Sequence, residues 1–173
     1  MSSCFLNHLK KYNRNIDWGV YYEEVYEIFK NDFLNKSKQL YFNSKEVRIK
    51  FQPKVDDKEQ TFFHITSHDG QSASNRVYDY RRCERIQWVR QFIENYFCNN
   101  QKCNCTGIHN WVQPFKNTYR TYIWCESKRF VVILEERSKY YLLITAFYVN
   151  ERNVKKVNEL SSNCKKYINS EIK

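Results

Sequence analysis

Residues 118–149, TYRTYIWCESKRFVVILEERSKYYLLITAFYV, decide the fold. Three runs rich in aromatic and β-branched residues, TYRTYIWCE, RFVVILEE and YYLLITAFYV, alternate with short polar connectors. Runs of this kind form strands, and ERSKY between the last two has hairpin length. HNWVQPF, beginning at His109, adds a fourth run upstream. Short connectors and only 3 glycines in the chain favour antiparallel pairing. The stretch therefore predicts a four-stranded antiparallel meander. In a regular last strand, Leu142, Ile144, Ala146 and Tyr148 share one face, the more aliphatic one, which is predicted to pack on the helices. Tyr141, Leu143, Thr145 and Phe147 share the other. Thr145 and Tyr148 line one site only if a bulge intervenes.

Working upstream, residues 81–97 repeat Ile86, Val89, Ile93 and Tyr96 at helical spacing, and Asp79 is placed to cap that helix. Arg82 falls on the same stripe, at its core-facing end. SHDGQSASNR (67–76) reads as a long polar loop, and TFFHI (61–65) as a short strand. KVDDKEQ (54–60) is a polar connector, and 37–52 reads as one or two short strands (QLYF, VRIKF). WGVYYEEVYEIFKNDFL (18–34) has an amphipathic helical pattern. Downstream of the meander, Val154, Val157 and Leu160 mark a C-terminal helix. The expected class is α+β: N-terminal helices and short strands, then a four-stranded antiparallel sheet, then a C-terminal helix. Residues 1–60 read as an extension packed on a core formed by 61–173.

The chain has 173 residues, 42% of them hydrophobic and 17% aromatic, enough to build a core. With 3 glycines no Gly-rich phosphate loop fits, which argues against most nucleotide-cofactor folds. The net charge is +10, which favours polyanionic partners. AT-rich coding also raises Lys, but residues 61–150 hold 12 basic against 7 acidic residues and concentrate arginine. Arginine grips phosphate with a planar fork. Seven cysteines without a secretory signal, and no apolar run of about 20 residues, predict a cytoplasmic protein with free thiols and no membrane span.

FHIT (63–66), RRCERIQWVRQFIENY (81–96) and TYRTYIWCESKRFVVILEERSKYYLLITAFYV (118–149), in that order, resemble a phage and prophage family of predicted nucleases. That family is grouped with the barnase, EndoU, colicin and RelE-like ribonucleases. Its R-x-x-R-I-x-W helix corresponds to Arg82-Cys83-Glu84-Arg85-Ile86-Gln87-Trp88. Its R-x-x-x-Y-L-L-x-T-A-Y strand corresponds to Arg137 with Tyr141–Tyr148, except that Phe147 precedes Tyr148. The resemblance covers roughly residues 61–150. It implies a RelE- or barnase-like fold with a helix before a four-stranded antiparallel sheet, an RNA substrate, and no metal or cofactor.

Metal-free RNA cleavage needs a base for the ribose 2′-OH, an acid for the departing 5′-oxygen, and cations for the charge-rich intermediate. Of the four histidines, His64 is the leading candidate because it opens into the polar loop; His68, inside that loop, and His109 are weaker, and His8 has no evident partner. Arg82, Arg85 and Arg137 are the candidate phosphate ligands, with Thr145 and Tyr148 assisting. A carboxylate such as Asp79, Glu135 or Glu136 would give the arginines a structural role instead. Trp111, Tyr119, Tyr122 and Trp124, interleaved with Arg120, suit either base stacking or core packing. Cys98, Cys103 and Cys105, with His109 and Cys125, suggest a zinc site, but the spacing lacks a C-x2-C knuckle. The expected function is a metal-independent endoribonuclease, a toxin or phage-related effector with a possible antitoxin or immunity protein as partner. A non-catalytic RNA-binding or inhibitor module is the alternative. ADP-ribosyl transfer, suggested only by His64-x-Thr66, lacks a catalytic Glu motif.

Overall fold

A computed structural model describes Leu6 and residues 8–68, 76–98 and 105–168. The first helix, α1 (Trp18–Phe29), starts at Asp17, whose carboxylate accepts from the Gly19 and Val20 amides at 2.8 and 3.3 Å. It buries Tyr21, Val25 and Phe29, one residue per turn, and runs on into a π-helical turn, Lys30–Leu34. Strands β1 (Tyr41–Phe42) and β2 (Lys45–Arg48) form a hairpin across Asn43 and Ser44. Both turn residues have positive φ, as a type I′ hairpin turn requires. Helix α2 (Gln60–Thr66) follows. The two-residue strands β3 (Ser67–His68) and β4 (Val77–Tyr78) then pair antiparallel. Helices α3 (Tyr80–Cys83) and α4 (Ile86–Glu94) precede the meander β5 (His109–Phe115), β6 (Thr118–Cys125), β7 (Phe130–Glu136) and β8 (Tyr140–Tyr148), and α5 (Val154–Ile168) closes the chain.

The sheet has six strands in the order β1-β2-β8-β7-β6-β5, and β2 runs parallel to β8. This corrects the expected four-stranded antiparallel sheet, and with it the RelE- or barnase-like architecture implied by the resemblance. The meander itself is antiparallel throughout. Neighbours joined by short turns must pair that way, but β2 and β8 are separated by most of the chain and are free to align. Without β2, the Tyr140–Leu142 edge of β8 would present unpaired amides and carbonyls.

Apolar clusters cover both faces of the sheet. Phe130, Val132, Leu134, Leu143 and Ala146 face the main core, with α1, α2 and α4. Val131 and Ile133 face a second cluster, with Trp111, Trp124 and, from α5, Leu160 and Cys164. β7 is buried on both sides from Phe130 to Glu135, which explains its unbroken FVVIL run.

Three local expectations are corrected. TFFHI belongs to helix α2 rather than to a strand. Its β-branched and aromatic residues suggest a strand, but Phe62, Ile65 and Thr66 recur at helical spacing, and the Phe62 ring lies 4.9–5.2 Å from those of Tyr22, Tyr26 and Phe29. The single helix over 81–97 breaks at Glu84–Arg85 into α3 and α4, so Arg82 is not continuous with the Ile86, Val89 and Ile93 stripe. The even-numbered residues of β8 do not share one face. The pairing shifts between Ile133 and Leu134, so Thr145 and Leu143 oppose consecutive residues and Ile144 is the extra residue of a bulge. Leu143 and Ala146 thus reach the main core together, while Ile144 and Phe147 pack at the second cluster. Asp79 caps α3 as predicted, accepting from the Arg81 amide at 2.9 Å. Among the described residues no helix is long and apolar enough to cross a membrane.

Phe62→Ala should lower unfolding free energy by about 3–5 kcal/mol, because a buried ring is lost and a cavity remains. Urea titration should show an earlier midpoint at unchanged slope. Burial raises the Tyr21 and Tyr22 phenols well above the ordinary tyrosine value. Burial, with a hydrogen bond to Glu59, raises Tyr26 to about 12. Burial likewise pushes up the Cys83 thiol. The folded chain therefore keeps protons that the unfolded chain releases from about pH 8.5 (thiol) and about pH 10 (phenols). Stability is full below that window and falls as pH rises through it. Urea midpoints measured from pH 8 to 11 should decrease steadily.

Candidate anion-binding site

A cavity of about 460 Å³ opens between α2 and β8. Gln60, Thr61 and His64 of α2 form one wall, and Leu142–Thr145 and Phe147 of β8 another. Lys50, Arg76 and Arg82 supply three cationic side chains, and no described lining residue is acidic. His64 is half-buried, neither sealed in the core nor fully in solvent.

The last turn of α2 organises this cavity. A helix end leaves carbonyls without intrahelical partners, and cationic donors suit them. The His64 carbonyl accepts from Arg82 Nη1 at 3.1 Å, from Thr145 Oγ1 at 3.4 Å and, at 3.5 Å, from Arg76 Nη2. Arg76 also donates to the Ser67 carbonyl at 2.8 Å. The Cys83 thiol donates to the Thr66 carbonyl at 3.7 Å. Arg82 Nε lies 3.6 Å from Asp79 Oδ2, and its guanidinium sits over the Phe147 ring at 5.3 Å. A guanidinium has five donors, so holding a carbonyl is compatible with facing an anion.

Of the six residues expected to share a site, the fold gathers three: His64, Arg82 and Thr145. Arg85 and Tyr148 line a different cavity of about 420 Å³, with Arg81 and Arg152. There Arg85 lies 4.1 Å from the Tyr148 ring centre and donates to the Arg81 carbonyl at 2.9 Å. Burial lowers its pKa from the ordinary arginine value, although Glu84 lies 3.8 Å away. Arg137 stands in the turn between β7 and β8, its amide bonded to the Tyr140 carbonyl, and Tyr140 lies five residues, roughly 16 Å, along the strand from Thr145. It pairs with Glu135, which also meets Arg120 at 3.5 Å and accepts from Thr118 at 3.3 Å. Convergence of all three arginines on His64 is therefore corrected. Arg82 alone reaches it, because the break after α3 turns Arg85 away and the strand carries Arg137 to the far end.

The other candidates are dispersed. His8 gives its carbonyl to Trp88 Nε1 at 3.0 Å, His68 is exposed 3.7 Å from Asp79, and exposed His109 contacts the Thr106 carbonyl at 3.2 Å. Trp111 and Trp124 are buried in the second cluster, Tyr122 stacks on Trp111 at 5.3 Å, and Tyr119 is exposed. Cys103 lies outside the described residues; among those described, no group of three or more His, Cys, Asp and Glu side chains is placed to hold a metal ion. Lys50, Gln60 and Arg76 were missed as site residues. Nothing in the pattern of VRIKF or KVDDKEQ marks Lys50 or Gln60, whereas Arg76 was visible only as one of the clustered arginines.

Comparison of the chain with protein-family models, curated proteins and solved structures finds no match to any of them.

Glu135 is 5% exposed, so Glu135→Ala should destabilise by about 3 kcal/mol, the low end for breaking a buried ion pair, because Arg137 can rehydrate. The half-exposed Arg137 should cost less than about 1 kcal/mol when replaced by Ala. Thermal and urea unfolding of the two variants gives this contrast directly.

Proposed function

We propose that the cavity beside His64 binds the phosphodiester backbone of RNA and that the protein cleaves it without a metal ion. The observation that carries this reading is the meeting of Lys50, Arg76 and Arg82 with an accessible imidazole in one cavity whose described lining holds no carboxylate. Cations so placed hold a phosphate and stabilise charge gathering on it. His64 takes the proton of a 2′-OH, whose oxygen attacks the adjacent phosphorus. The bond to the 5′-oxygen breaks, leaving a 2′,3′-cyclic phosphate, and the imidazolium returns the proton to the departing oxygen. The motif matches at 82–88 and 141–148 support the reading, since they supply Arg82 and Thr145 to this cavity. A role as a toxin or phage-related effector in a reducing cytosol, restrained by a protein partner, fits it.

The second reading is a non-catalytic RNA-binding module. It is favoured by the arginines' bonds to backbone carbonyls, which give Arg76 and Arg82 structural work in any case.

Mixed RNA incubated with the protein in EDTA should be cleaved, and His64→Ala should lower the rate by at least about 100-fold while leaving affinity near wild type. Exposed Lys50, replaced by Ala, should weaken RNA binding and reduce the slope of log affinity against log salt by about 0.7. Binding without cleavage by either protein selects the second reading. Absence of binding at moderate salt rejects both.

A further inference from the structure

A further cavity of about 450 Å³ opens where the N-terminal segment meets α3, and its walls are mostly aromatic: Tyr12, Trp18, Tyr78 and Tyr80. The first three rings support one another, Tyr12 on Trp18 at 5.2 Å and Trp18 near Tyr78 at 6.0 Å. Tyr80 stands apart. It is 45% exposed and makes no ring–ring contact among the described residues, while Arg81 holds its hydroxyl at 3.2 Å. Arg81 also lies over that ring, 5.7 Å from its centre, and the gap between it and the group of packed rings has the form of a slot for a flat ligand.

The slot has one carboxylate, Glu84. One of its oxygens accepts from the Tyr12 amide at 3.3 Å and the other lies 3.8 Å from Arg85. A carboxylate offers about four acceptor positions, so it retains capacity toward a ligand. Tyr80 and Glu84 also line the neighbouring cavity, the one that holds Arg81, Arg85 and Arg152 together with Glu151. An aromatic slot and an arginine-lined hollow thus share a wall. Arg82, the next residue along α3 from Arg81, lines the His64 cavity.

We propose that the aromatic slot is a base-binding subsite for single-stranded RNA. Tyr80 stacks on the base, Glu84 accepts from its edge, and Arg81, Arg85 and Arg152 take adjoining phosphates. The proposal rests on the reading of the His64 cavity as a phosphodiester site. An acceptor-only group ranks the bases by their edges: two adjacent donors on guanine, one amino group on adenine or cytosine, and on uracil an N–H flanked by two repelled carbonyls. A quaternary ammonium would also suit aromatic walls, but Arg14 in the lining and the arginines across the shared wall repel it.

The test uses the full chain and fluorescein-labelled 2′-O-methyl oligonucleotides, which cannot be cleaved through the 2′-oxygen. Uridine hexamer is compared by anisotropy with the same hexamer carrying one guanine. The guanine oligomer should bind roughly tenfold tighter. Glu84→Gln should reduce that preference to under about threefold, because an amide presents a donor where a second acceptor is needed. Since Glu84 also holds the Tyr12 amide, a second variant is required. Tyr80→Ala should weaken the guanine oligomer at least about fivefold through lost stacking. Equal affinity of wild type for the two oligomers, or a preference that survives both variants, overturns the subsite while binding of the uridine hexamer keeps the phosphodiester reading standing. If neither oligomer binds at moderate salt, both fall together.

Discussion

The last carbonyls of α2 govern how this molecule is assembled. A helix of seven residues is too short to persist alone, and its C-terminal turn has no following turn to bond to. Arg82 from α3, Arg76 from the approach to β4, and Thr145 from β8 all close on one oxygen, that of His64. This single acceptor ties together segments more than eighty residues apart. It holds α2 against the part of β8 beyond the reach of β2, and so sets the imidazole at the mouth of a cavity rather than in the core.

The same arrangement shows how a net charge of +10 is tolerated. Many of the arginines satisfy backbone or aromatic surfaces: Arg90 holds the Asp32 and Lys38 carbonyls, Arg85 lies against Tyr148, and Arg120 covers Phe115. Guanidinium groups tolerate such surroundings because they are weakly hydrated and present donors in a plane. Positive charge is thereby built into the frame, and it gathers along α3 and the break after it, where Arg81, Arg82 and Arg85 look into two different cavities.

The meander was legible because local rules suffice for it: alternating β-rich runs and short connectors leave neighbours little choice. The β2–β8 pairing was not, since nothing in KEVR distinguishes a strand that joins the sheet from one that stays apart. TFFHI misled because Phe, Ile and Thr carry strand preference, while the rings of α1 that select the helix lie far away in sequence. His64, Arg82 and Thr145 were found through motif order, and the bulge at Ile144 was foreseen only as a condition. Arg85 was misplaced because a break of two residues after Cys83 is invisible to a periodicity that resumes at Ile86. Lys50 and Gln60 carried no signal, as a lone lysine or glutamine acquires meaning only from what the fold sets beside it.

The parallel join between β2 and β8 has a consequence for the chain's birth. Residues 45–48 leave the ribosome well before their partner at 140–142 is made. The hairpin at 41–48 must wait, one edge bare, while nearly a hundred further residues are translated. Closure over such a span is slow by nature. The nascent protein therefore passes through a long interval in which it offers a strand edge to any passing chain, and shelter by a chaperone during synthesis would serve it well.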